Sequence, residues 1–115
     1  MDVKQVATQL GLEEDDIYDV LVLFVQTAPS DLMKMTSGFN RKDAVPVGEA
    51  AHSLKGSAGT LGFMDISNHA QQIMQLSREK NMIDLSLAVP PFLNQMKALL
   101  LELKEVLKNR DSNHP

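Results

Sequence analysis

The chain has 115 residues, 43% of them hydrophobic, which points to one domain with enough apolar side chains for a real core. Fifteen acids against eleven bases leave a net charge of −4; with four Phe, one Tyr and no Trp, this argues against a nucleic-acid partner. The absence of cysteine excludes disulfides and thiolate metal sites.

The N-terminus, Met1-Asp2-Val3-Lys4-Gln5, lacks the basic stretch and apolar core of a signal peptide. The apolar run Val20 to Val25 is far short of the ~20 residues that span a bilayer, so a soluble, cytoplasmic protein is expected. Apolar residues recur at helical spacing along nearly the whole chain, and period-two alternation is hard to find. A short first helix is expected from Val3 to Leu10, stopped by Gly11. The acids Glu13 to Asp16 suit the positive end of a helix whose stripe is Ile17, Leu21, Phe24 and Ala28. Pro29 is expected to kink this helix or start a new one, with Leu32 and Met35 extending the apolar face. Gly38 reads as a stop, Phe39 as folding back on the last turn, and Asn40-Arg41-Lys42 as a connector.

Asp43 reads as the N-cap of a helix from about Ala44 to Leu61, with Pro46 in its first turn and Gly62 breaking it. Phe63, Ile66, Ala70 and Ile73 stripe a further helix ending near Lys80. Asn81 to Val89 gives no clear pattern, and Pro90-Pro91 is expected to begin or kink a last helix. Phe92, Met96, Leu99, Leu103 and Val106 form that helix's face. Residues 1–110 form the domain and 111–115 a disordered tail. The expected fold is all-α: an antiparallel four-helix bundle with a short additional N-terminal helix.

The informative stretch is Ala51-His52-Ser53-Leu54-Lys55-Gly56-Ser57-Ala58-Gly59-Thr60-Leu61-Gly62-Phe63. Val47, Ala51, Leu54, Ala58 and Leu61 step by four and three and make a core stripe. His52, Lys55, Gly56 and Gly59 share another face, about 100° away by the turn per residue of an α-helix. A glycine costs about 1 kcal/mol relative to alanine inside a helix, so two beside a histidine call for a bare surface. A neutral imidazole is a good nucleophile, and an ammonium three residues on attracts an anionic group brought to it. Of the i±3 and i±4 positions of His52, one carries a carboxylate, Glu49 at i−3; Gly48, Lys55 and Gly56 occupy the others. A nucleophile that receives a phosphoryl group fits better than an acid–base catalyst.

This stretch closely resembles the histidine phosphotransfer (HPt) domain of multistep two-component phosphorelays, and the resemblance extends more loosely over most of the chain. It implies that His52 is the phospho-acceptor, that Lys55 assists electrostatically and that Gly56 leaves room for the partner. Gly59 and Ser53 go with Gly56 on the partner-binding face. Members of that family often place a glutamine on the following helix, hydrogen-bonded to the histidine ring. The matching position here is Met74; Gln71, one turn earlier, and Gln75, adjacent, are the candidates to orient the ring instead.

The function so implied is that of a phosphorelay intermediate, which accepts a phosphoryl group from a receiver-domain aspartate and passes it to another. Response-regulator receiver domains and hybrid sensor histidine kinases would be its partners, and a bacterial cytoplasm its setting. The protein is expected to be a monomer, free-standing by its start at Met1 and its tail, with neither nucleic acid nor membrane as partner. No cofactor or metal is expected on this chain, the divalent cation belonging to the receiver's acidic pocket. No glycine-rich phosphate loop lies between a strand and a helix, so the chain is a phosphocarrier without kinase activity from ATP. The alternative is a non-phosphorylated helical interaction module that binds receiver or kinase domains. His69 and His114 read as a boundary and a tail histidine, without ligand spacing to His52.

Overall fold

Local capping sets the first boundary. Helix α1 (Val3–Leu10) starts where the Asp2 carboxylate accepts the Gln5 N–H at 3.1 Å, and it ends where Gly11 turns left-handed, φ 68°. The computed structural model describes the backbone of residues 1–113 and the side chains of residues 1–110. It continues with α2 (Glu14–Asn40), α3 (Ala44–Thr60), α4 (Met64–Arg78) and α5 (Met82–Asn113), and no strand occurs among the described residues. Asp43 caps α3, its carboxylate accepting the Val45 N–H at 3.2 Å. Gly62, φ 79°, makes the turn between α3 and α4.

Several expected boundaries move. Pro29 interrupts nothing visible: α2 runs through it as one helix. Gly38 is not a stop but a buried residue inside α2. A Cβ there would stand 2.6 Å from Pro46 Cγ, so glycine is needed for the first turn of α3 to come this close. Reversal comes four residues later, where Lys42 takes the left-handed conformation (φ 59°) and the Asp43 N–H reaches back to Gly38 O at 2.8 Å. Phe39 stays within the helix and packs half-buried against the core.

The patternless Asn81–Val89 belongs to α5. Asn81 and Asp84 bond reciprocally at the helix start: Asp84 N–H to Asn81 Oδ1 at 3.0 Å, and Asn81 Nδ2 to Asp84 Oδ2 at 2.8 Å. Pro90 and Pro91 lie inside α5 rather than at its start. The carbonyls they leave without an N–H partner, Ser86 and Leu87, belong to exposed residues. The core stripe of α5 is Leu85, Val89, Phe92, Met96, Leu100 and Leu103; Leu99, expected in it, is half-buried beside it. The expected tail begins inside α5, which is helical through Asn113, and residues 114–115 lie outside the described residues.

Helices α2 to α5 form a closed antiparallel ring, cross-linked at each joint. Lys34 pairs with Glu49 (3.3 Å) and Ser53 with Asp31 (2.7 Å) between α2 and α3. Ser67 Oγ donates to Lys55 O (3.2 Å) between α4 and α3, and His69 Nδ1 meets Gln95 Oε1 (2.7 Å) between α4 and α5. Arg110 reaches Asp15 at 3.1 Å and lies over the Tyr18 ring, which ties α5 to α2. Helix α1 is the extra element and packs on α2. The bundle core is continuous, from Val3 and Ala7 through Ile17, Leu21, Phe24 and Leu54 to Phe92 and Met96. The α3 stripe Val47, Ala51, Leu54, Ala58 and Leu61 is entirely within it. No described helix is long and apolar enough to cross a membrane.

Candidate functional site

With its stripe committed to the core, α3 exposes the opposite arc between α2 and α4. Ser53 marks the α2 side of that arc, its hydroxyl donating to Asp31. Gly48, Lys55 and Gly59 mark the α4 side. A Cβ at Gly48 would stand 3.0 Å from Ser77 Cβ, one at Gly59 would stand 3.4 Å from Ser67 Oγ, and Lys55 O takes the Ser67 hydroxyl. Between the two flanks lie His52 and Gly56, both exposed. A Cβ at Gly56 would meet nothing within 4 Å.

The face read from the sequence therefore divides. His52 and Gly56 are open to a partner. Gly59 is half-buried in the α3–α4 seam, where a Cβ would come 3.4 Å from Ser67 Oγ, so it belongs to the helix contact rather than to the bare surface. Ser53 is exposed, but its hydroxyl is occupied by Asp31. Lys55 is half-buried, one turn from His52.

His52 stands on the wall of a groove of about 570 Å³ between α3 and α4, shared with Val45, Gly48, Glu49, Met74, Ser77, Arg78 and Lys80. Met74 is buried beside it, as the position count from His52 implies. Neither glutamine expected to orient the ring reaches it. Gln75 is exposed and donates along its own helix to Glu79 at 3.0 Å, and Gln71, half-buried a turn earlier, is not part of the groove. None of the hydrogen bonds around the site reaches the His52 ring.

Sequence reasoning missed four contributors: Gly48, Ser77, Arg78 and Lys80. Gly48 was readable, being one turn before His52 on the same face. The three from α4 and its end depend on how α4 docks against α3, which no spacing within either helix reveals. Lys55, one turn beyond His52 on α3, lies outside the groove's lining, while Arg78 and Lys80 bring two cations to it. Lys80 does so from a left-handed backbone, φ 53°, at the turn that ends α4. Glu49, the acid on the rim, is drawn aside by Lys34. The site thus joins an exposed imidazole, a bare approach surface at Gly56 and an excess of positive charge. This arrangement suits an anionic group delivered by another macromolecule. Among the described residues no three His, Asp or Glu side chains cluster as metal ligands.

Comparison with known proteins bears on the family and the fold. The family model of the Hpt domain matches residues 19–109. No curated protein matches the chain. The crystal structure of histidine-containing phosphotransfer protein B (HptB) from Pseudomonas aeruginosa PAO1 is similar in fold, with a TM-score of 0.74 at 20% sequence identity, over 100% of this chain and 96% of that chain.

Proposed function

The chain belongs to the Hpt domain family, and on that premise we propose that it is a phosphorelay intermediate with His52 as its phosphoryl acceptor. A ring nitrogen of His52 attacks the phosphorus of a receiver-domain aspartyl phosphate in line. The N–P bond forms as the P–O bond breaks, and the aspartate leaves as carboxylate. The reverse step hands the group to a second receiver. Little covalent chemistry is asked of this chain; its part is positioning and charge.

Lys55, Arg78 and Lys80 stabilise the negative charge that gathers on the phosphoryl oxygens. Gly56 lets the receiver's surface close over the imidazole. The receiver brings the divalent cation in its own acidic pocket, and hybrid sensor kinases supply the group through their receiver domains, in a bacterial cytoplasm. The observation that carries the reading is the exposed His52 beside the open Gly56 surface on a cation-lined groove.

Incubation with a labelled, phosphorylated receiver tests it. Wild-type protein should acquire acid-labile, base-stable label, and Lys55→Ala should acquire it more slowly, with a deficit that shrinks as salt rises. Binding to receivers without any label would instead make this an interaction module.

A further inference from the structure

One side-chain atom stands apart in this fold. Ser77 Oγ is buried without a hydrogen-bond partner, and it is the one such atom among the described residues. Buried hydroxyls are ordinarily satisfied, and an orphan is destabilising, so its retention calls for a cause outside packing. Ser77 is 8% exposed and lines the same groove as His52.

Helix geometry relates the two residues. Side chains lean toward the N-terminus of their helix, so the His52 ring overhangs the turn that starts at Gly48. Gly48 puts no side chain there. A Cβ at Gly48 would lie 3.0 Å from Ser77 Cβ and 3.5 Å from Ser77 Oγ. At Gly48 the space one turn before His52 is therefore bare on α3 and faces Ser77 on α4.

The groups that α4 and its end bring to the groove besides Ser77 are poor partners for a ring N–H. Lys80 and Arg78 offer donors only, and the Met74 thioether is a weak acceptor. Glu49, three residues before His52, is the other acceptor in the groove; its Oε1 pairs with Lys34 at 3.3 Å.

We infer that Ser77 is the positioning residue for His52: its Oγ accepts a hydrogen bond from Nδ1–H when the ring turns into the groove. That bond selects the tautomer whose lone pair is on Nε2, the nitrogen farther from the backbone. In transfer, Nε2 forms the bond to phosphorus while the P–O bond to the donor carboxylate breaks. Nδ1 keeps its proton, and the positive charge the ring acquires strengthens the bond to Ser77. The inference rests on the phosphoryl-acceptor reading of His52, but its first readout does not require a phosphodonor.

The test compares ¹⁵N-labelled wild type, Ser77→Ala and the double variant Ser77→Ala/Met74→Gln. Ring nitrogen shifts of His52 are read in alkaline buffer, and phosphoryl uptake is read from a phosphorylated receiver. Wild type should favour the Nδ1–H tautomer, and Ser77→Ala should shift toward Nε2–H. Uptake by Ser77→Ala should slow about fivefold, the effect of one modest hydrogen bond, with receiver affinity unchanged. The glutamine of the double variant should restore both readouts. An unchanged tautomer ratio and unchanged uptake in Ser77→Ala, with a raised Tm, would overturn the inference and make Ser77 an orphan of packing alone. A Ser77-dependent tautomer in a wild-type protein that takes no label would uphold the contact and sink the transfer reading.

Discussion

The α3–α4 seam closes twice on a glycine and a serine. At one end Gly59 faces Ser67, whose hydroxyl is satisfied by Lys55 O at 3.2 Å. At the other end Gly48 faces Ser77, whose hydroxyl has no partner. The same residue pair does two jobs. The first locks two helices together beside the Gly62 turn. The second keeps a groove open beside the one exposed histidine of α3 and leaves a polar atom waiting at its wall. Close helix approach is thus the means in both places, and only the unsatisfied end faces chemistry.

The largest contrast between the ends is chemical. His52→Gln should abolish phosphoryl uptake while circular dichroism and Tm stay close to wild-type values, because His52 is exposed and outside the core. A stable label on that variant would place the reactive centre elsewhere. Next come the glycines. Gly56→Leu meets open space, so the fold should hold while transfer from the receiver falls at least about tenfold, a loss of about 1.4 kcal/mol. Gly59→Leu drives into Ser67 and should destabilise by about 1–3 kcal/mol in urea unfolding. Equal transfer by Gly56→Leu and wild type would remove the close-approach argument.

The serines should then differ in what they report. Ser67→Ala loses a made hydrogen bond and should cost about 1 kcal/mol, whereas Ser77→Ala removes a hydroxyl whose proposed partner is the exposed His52 ring and should leave Tm close to that of the wild type. A smaller effect closes the series: Gly56→Ala should gain about 0.5–1 kcal/mol from helix propensity alone. Gly48→Ala should gain nothing, because its Cβ would press on Ser77 at 3.0 Å.

How much of this was readable in the sequence depends on whether the signal is local. The limits of α1 and α3 follow from Asp2, Gly11, Asp43 and Gly62, each acting within a few residues of itself. The arrangement of His52, Lys55 and Gly56 follows from spacing on one helix. Gly38 misled because glycine signals both helix ends and close approaches, and here Pro46 of another helix decides between them. The real reversals use Lys42 and Lys80 in left-handed backbone, conformations that no lysine advertises. Pro90-Pro91 misled in the opposite sense: the carbonyls they leave unpaired belong to exposed residues of the helix, where a missing N–H costs less than in a buried stretch. Ser77, Arg78 and Lys80 were out of reach because their role is set by which turn of α4 meets His52.

The central claim is that His52 receives the phosphoryl group. After reaction of ¹⁵N-labelled protein with a phosphorylated receiver, nitrogen–phosphorus coupling in the NMR spectrum identifies the modified atom directly. The account predicts coupling to Nε2 of His52, with Nδ1 still protonated. A phosphorus-coupled nitrogen on His69, or a receiver that loses its phosphoryl group only to water, would contradict it.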